Sequence, residues 1–228
     1  MKPLPILTIN LLDVKIPANS SLMTAFLNGM RDVAVENQVL FESEGIPADI
    51  FHNDKIAYSG IQFTNIRGSA SITAVGPKEV RALELWYEIF RKSIRNPEQN
   101  TLIIKEQFIG QITKEYLNYK TDSLLLKSEI GHEIENLQNQ FAIHDRLEKY
   151  LYGNIKAFLV RVAGMEIGEH DYISVKVHKY KNHGLKSTFH GGKLPAFDIY
   201  FSTNVTLPHT LRLGQAVSLG YGNVVHIE

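Results

Sequence analysis

Ser69-Ala70-Ser71-Ile72-Thr73-Ala74-Val75-Gly76-Pro77-Lys78-Glu79-Val80 contains the change of period on which the fold turns. Its first seven residues are β-rich, and a second β-rich run, residues 58–64, precedes them across a turn at 65–68, so the pair predicts a hairpin. Gly76-Pro77 then opens a helix, because proline is preorganised for the first helical position. Val80, Leu83, Tyr87, Phe90 and Ile94 follow at helical spacing as its apolar stripe. Upstream, residues 4–12 read as an apolar strand, and Asn19 or Ser20 caps a helix striped by Leu22, Phe26, Met30 and Val33. Downstream, residues 102–108 read as another strand. Strand, helix, strand, strand, helix, strand is the split βαβ unit of ferredoxin-like folds, an antiparallel sheet with two helices on one face. It assigns residues 1–110 to one domain.

Residues 111–228 read as a second unit. Strands are expected at 112–119 and 124–127, then a long helical stretch over 132–162 that Gly153 divides. Leu147, Leu151, Ile155, Phe158, Leu159 and Val162 give this stretch an apolar side, and Gly164 is its stop. Further strands at 173–180, 196–202 and 217–227 complete a degenerate ferredoxin-like unit whose last helix is missing or very short. The expected class is therefore α+β, with tandem ferredoxin-like units.

With 44% hydrophobic and 21% charged residues, the 228-residue chain can bury a real core, which excludes a disordered or fibrous protein. No cysteine is present, so disulfides, thiolate zinc sites and cysteine nucleophiles are excluded, and a cytoplasmic location is expected. Pro3, Pro5, Asn10 and Asp13 interrupt the apolar residues at the N-terminus, so no signal peptide is expected. Nor is a membrane helix, since no eighteen apolar residues run together. The net charge of zero hides a segregation: residues 172–227 hold Lys176, Lys179, Lys181, Lys186, Lys193 and Arg212 against Asp198, a balance of +5. Such asymmetry is the footprint of nucleic-acid or other anion binding, and a solvated strand face explains it too. Strand alternation puts Lys179 and Lys181 on one face and Lys176 on the other.

His52, in a polar loop ahead of a strand, is either a surface histidine or a group that transfers a proton near neutral pH. Lys55 and Tyr58 read singly as a solvated charge and a sheet aromatic. Together the three suit cleavage of RNA, which needs a base for the 2′-hydroxyl, a cation for the phosphorane and an acid for the leaving 5′-oxygen. Gly214, Gly220 and Gly222 match neither a P-loop nor a dinucleotide fingerprint. They form either a glycine-containing hairpin with a bulge or a loop whose backbone N–H groups hold phosphate. His170-Asp171 are adjacent and diverge, and no HExxH or EF-hand spacing occurs, so neither metal nor cofactor is expected.

Several spaced segments resemble the CRISPR repeat-processing endoribonucleases, the Cas-six family of RAMP proteins, and in particular its b subgroup. Phe51-His52-Asn53 with Tyr58-Ser59-Gly60-Ile61-Gln62-Phe63 is similar to the family's Phe-His-Asn-His and Tyr-Pro-Leu-Ile-Gln-Tyr stretches. Leu151-Tyr152-Gly153-Asn154-Ile155, Phe158 and Arg161-Val162-Ala163-Gly164 resemble its central helix, where Arg161 replaces a lysine. Ala196-Phe197-Asp198, Phe201, Thr203-Asn204-Val205 and Leu207-Pro208 lead into Leu213-Gly214 and Gly220-Tyr221-Gly222, which resemble the C-terminal glycine-rich signature.

The resemblance implies tandem ferredoxin-like folds and metal-independent cutting of precursor CRISPR RNA within repeats, by attack of the 2′-hydroxyl on the neighbouring phosphate. It makes His52 the main proton-transfer residue with Tyr58 assisting. RNA contacts are then expected from Lys55, Arg161, Lys179, Lys181, Arg212, Gly214, Gln215, Gly220, Tyr221 and Gly222. Expected partners are the repeat RNA and other CRISPR effector subunits, with no membrane partner, and the chain is expected as a monomer or homodimer. Four positions depart from the pattern: Asp54 for the second histidine, Ser59 for proline, and Gln215 and Leu219 for basic residues of the loop. These departures motivate a competing expectation, a catalytically silent RNA-binding or scaffold subunit. A ferredoxin-like small-molecule binding module is the third.

Overall fold

The computed structural model of the chain describes residues 2–15, 20–51, 59–66, 69–168, 170–187 and 193–228. Two compact units emerge: Pro3–Phe108 joined by Ser218–Gly220, and Ile109–Val217 with Tyr221–Glu228.

In the first unit, β1 (Leu4–Lys15), β2 (Ile61–Ile66), β3 (Ser69–Val75) and β4 (Thr101–Phe108) form an antiparallel sheet in the order β2-β3-β1-β4. Helix α1 (Ser20–Glu36), a short α2 (Gln38–Ser43) and a 3-10 turn (Ala48–Phe51) connect β1 to β2. Helix α3 (Pro77–Phe90), with Pro77 in its first turn, and a short α4 (Pro97–Asn100) connect β3 to β4. This is the ferredoxin-like order that the change of period predicts.

The helices are fixed to the sheet by an aromatic cluster. Phe26 of α1 packs 5.1 Å from the Phe63 ring of β2 and 6.0 Å from Trp86 of α3, which stacks on Phe90 at 4.6 Å. That cluster sets the roll of α1: Met23, Leu27, Met30 and Ala34 are buried, whereas Leu22, expected in the stripe, is exposed. In α3 the expected Leu83 and Tyr87 are buried beside Ala82, Leu85 and Trp86.

The second unit repeats the plan with β5 (Ile112–Leu125), α5 (Ser128–Asn136), α6 (Gln140–Ala157), β6 (Val175–Ser187), β7 (Lys193–Val205) and β8 (Asn223–His226). Its antiparallel order, β6-β7-β5-β8, is the first unit's order position for position. No α-helix joins β7 to β8; only a 3-10 turn at Val217–Leu219 stands there, so the unit is degenerate as expected. Three boundaries differ. The two short strands expected at its start are one, β5, carried through by a bulge at which Ser123 takes φ +50°. The helical stretch breaks before Asn139, whose side chain accepts the Phe141 N–H at 2.9 Å, and runs through Gly153. A glycine in an exposed helix costs only about 1 kcal/mol against alanine, too little to end α6. The last strand is also shorter, because 217–219 is taken by the turn.

Helix α6 winds into a π-helical turn, Phe158–Val162, and stops at Gly164, where the Met165 N–H reaches the Leu159 carbonyl at 2.8 Å. Among the described residues no helix is long and apolar enough to cross a membrane.

Trp86 is the only tryptophan and is 2% exposed. Truncation to alanine should lower stability by about 3–5 kcal/mol. Chemical denaturation followed by circular dichroism measures this, and a loss under about 1 kcal/mol would contradict the packing assigned to the cluster.

Candidate nucleic-acid interface

His52, Lys55 and Tyr58 lie outside the described residues, as does Asp54. Buried residues stand near both ends of that segment. Phe51 is fully buried, its ring 6.0 Å from Phe41 in an edge-on contact. On the far side, Ile61 and Gln62 are fully buried at the start of β2, and Gln62 Nε2 donates to the Ser59 carbonyl at 3.1 Å. Glu79, in the first turn of α3, packs over Gly60: a Cβ there would fall 2.5 Å from Glu79 Cγ. Burial pushes the Glu79 carboxyl up, against its own backbone N–H and the Lys78 charge.

The glycine-rich loop turns inward. At Gly222, φ is +71° and a Cβ would fall 1.8 Å from the Leu213 carbonyl oxygen, so only glycine fits. The Gly222 carbonyl accepts the Leu213 N–H at 2.9 Å, closing the loop on itself. Gly220 belongs to the first unit, where a Cβ would fall 2.9 Å from Thr64 Oγ1 and 3.1 Å from the Phe63 carbonyl oxygen. The Gly214 N–H donates to Asn154 Oδ1 at 3.2 Å and the Gln215 N–H to the Leu125 carbonyl at 2.9 Å. Burial pushes the Tyr150 phenol up, opposed by hydrogen bonds with Gln215 and Asn154. Tyr221 is half-buried, Arg212 is 5% exposed, and Arg161 is exposed on the π-helical turn. The missing side chains therefore make room for the protein's own backbone.

The lysines are arranged differently from strict alternation. In β6 the register steps from Val177↔Phe201 to Lys179↔Tyr200, so His178 is an extra residue, a β-bulge. Lys176 pairs with Ser202, Lys179 with Tyr200 and Lys181 with Asp198. Ser202, Tyr200 and Asp198 alternate along β7 and share one face. The bulge thus brings Lys176 onto the face of Lys179 and Lys181, against the expected split. The opposite face carries Val177, Ile199 and Phe201 and is covered by α5 and α6.

Two aromatic rings lie among these cations. Lys120 and Lys179, both in register with Tyr200, hold Nζ 5.5 and 6.0 Å from its ring centre, and Lys176 Nζ is 5.7 Å from that of Tyr116. Neither tyrosine was singled out from the sequence, because the alternation that would have aligned them with the lysines is interrupted by the bulge. The acids nearby are paired: Asp122 with Lys120 at 2.5 Å, and Asp198 with His183 at 2.9 Å.

Comparison with known proteins places the chain. A family model, the Cas6b C-terminal domain, matches residues 111–227, just over half of the 228 residues. The chain belongs to the Cas6b family. That is the group its spaced motifs resemble. The crystal structure of a Cas6b superposes with a TM-score of 0.71 at 22% identity, covering 99% of this chain and all of that one. A second Cas6b, described as a CRISPR RNA processing endoribonuclease, gives 0.65 at 20% identity, covering 99% of this chain and all of that one. The type IV Cas6 crRNA endonuclease Csf5 gives 0.56 at 13%, with both chains fully covered. These likenesses show a shared fold along the chain. No curated protein sequence matches.

Two outcomes test the Cas6b second unit as described. Gly222→Ala adds a Cβ against backbone at positive φ, which should lower the melting temperature by about 5–15 °C. An unchanged melt would contradict the loop geometry. For Asp198, burial pushes the carboxyl up, but the Ser123 N–H, His183 and Lys120 outweigh it and hold it below the ordinary value of 3.8. A carboxyl lowered by folding adds stability above its unfolded value and loses it as pH falls through the folded one. Asp198→Asn should therefore be less stable than wild type at neutral pH, with the gap closing at acid pH. A gap that persists unchanged well below pH 3.8 would remove the charge of Asp198 from the account.

Proposed function

We propose that this chain is an endoribonuclease that binds precursor CRISPR RNA and cuts it within each repeat without a metal ion, working in the cytoplasm. The observation that carries this reading is the Cas6b family match over 111–227, joined in the same chain to the His52–Tyr58 residue set. In the reaction a base takes the proton of the 2′-hydroxyl, its oxygen bonds to the adjacent phosphorus, and the bond to the 5′-oxygen breaks as an acid protonates it. The products are a 2′,3′-cyclic phosphate and a 5′-hydroxyl. His52 and Tyr58 supply the two proton transfers, and Lys55 meets the charge that grows on the phosphorane.

In this reading residues 1–110 carry the chemistry and 111–228 the RNA grip. Lys179 and Lys181 contribute phosphate contacts from the sheet, Arg161 from its exposed turn, and Tyr221 and Gln215 from the loop. Asp54, Gln215 and Leu219 favour a second reading, an RNA-binding subunit that does not cut.

Purified protein incubated with end-labelled repeat RNA in EDTA should yield 2′,3′-cyclic ends. His52→Ala should slow this by about 10²- to 10⁴-fold with little loss of affinity. Cleavage abolished by chelation and restored by magnesium would refute the mechanism. RNA that is bound and left intact would establish the second reading.

A further inference from the structure

Sequence alternation splits the three β6 lysines between two faces, and the structure gathers them on one. The bulge at His178 brings Lys176 into line with Lys179 and Lys181 on the side of the sheet away from α5 and α6. All three are exposed. Across the sheet the middle row reads Lys179, Tyr200, Lys120 and the next reads Lys176, Ser202, Asn118. His178 Nε2 and Ser202 Oγ share a hydrogen bond of 2.9 Å, which fixes the bulged residue onto this face. Tyr116, 46% exposed, continues the surface and is held by a 2.8 Å hydrogen bond to Ser174 Oγ.

The acids on this face do not cancel its charge. Asp122 pairs with Lys120 and Asp198 accepts the Ser123 N–H, and these two carboxylates stand against four lysines, Lys120, Lys176, Lys179 and Lys181. The β6 lysines stand in no ion pair among the described residues, and two tyrosine rings share their face, Tyr200 beside Lys179 and Tyr116 beside Lys176. Cations beside exposed aromatic rings are the parts that hold unpaired nucleic acid: a ring stacks a base and the ammonium groups meet the backbone. A duplex can meet the cations but has no unstacked base to offer the ring.

We propose that the open face of the second sheet binds an unpaired stretch of RNA, one base stacking on Tyr200 with Lys176, Lys179 and Lys181 on its phosphates. The assignment rests on the reading of the chain as an RNA-processing enzyme and adds to it where, and in what form, part of the substrate lies. Tyr116 extends the track by a second base.

Fluorescence anisotropy on the full chain with short oligouridine RNA, compared with a blunt hairpin RNA, tests this. Tyr200→Ala should weaken oligouridine binding about 5- to 150-fold, the range for loss of one stacked base. Tyr200→Phe, which keeps the ring face, should restore it. Changing the three lysines together to Gln should flatten the dependence of log affinity on log salt by about 2, at roughly 0.7 per phosphate contact. Equal loss on oligouridine and hairpin, or wild-type affinity in the Tyr200→Ala protein, would overturn the proposal. Should that variant not fold, 4-thiouridine RNA cross-linked to wild-type protein must map to β7 within residues 198–202; cross-links wholly elsewhere overturn it too. Repeat RNA assayed beside these separates the two claims. A wild-type protein that neither binds nor cuts the repeat sinks the enzyme reading. One that cuts it while the Tyr200 and lysine variants hold oligouridine normally sinks only the sheet-face site.

Discussion

Asp198 is the point against which the second unit is registered. Its carboxylate accepts the Ser123 N–H at 2.9 Å from β5 and lies 2.9 Å from His183 Nε2 of β6, so one side chain on β7 reaches both neighbouring strands. Each contact falls at an irregularity. Ser123 is the bulged residue of β5, and His183 lies where β6 slips by one residue between Asn182 and Leu185. A bulge leaves one backbone N–H outside the ladder, and an unpaired buried donor is costly. The carboxylate satisfies that donor on the β5 side. With both slips held, β7 keeps its regular alternation and both partners read their faces from it.

This use of Asp198 changes the meaning of the charge count. In the sequence it is the single acid among six cations of residues 172–227, and there it stands as a partial cancellation. In the fold it is spent on the backbone of one strand and the imidazole of another. Lys120 similarly pairs with Asp122, so among the described residues the lysines of this face that stand in no ion pair are those of β6. Cation–π contacts at exposed sites contribute only about 0.5–1 kcal/mol each, little enough for a phosphate to draw the ammonium groups from the rings.

Most of the architecture was legible because it rests on periodicity. The step from alternating to helical spacing across Val75 and Pro77 is local, as are the proline start of α3 and the glycine stop at Gly164. Both sheets follow from the order of such segments. What escaped was decided between segments. Nothing in the composition of 175–181 marks His178 as the extra residue; the register of β7 selects it. Leu22 and Phe26 are equivalent on a helical wheel, and only the Phe63 and Trp86 rings distinguish them. The glycine-rich loop was legible as glycine-dependent, but whether protein or phosphate fills the space could not be read locally. As for the cutting site, its residue types were legible as a set, whereas their arrangement depends on a segment whose buried flanks, Phe51 and Ile61, are what the structure describes.

The loop and the sheet face then divide the binding differently from a reading that gives phosphate to glycine. The N–H groups of Leu213, Gly214 and Gln215 are bonded to the Gly222 carbonyl, Asn154 and the Leu125 carbonyl, so those three donors have protein partners. Taking a phosphate there would first break hydrogen bonds of about 1 kcal/mol each and open the turn that Gly222 closes. Lysines on an exposed face carry no such cost, because a phosphate displaces only water and a weak contact with a ring. Affinity should accordingly reside in side chains, those of β6 foremost, with the backbone of the loop acting as a brace on β5 and β8.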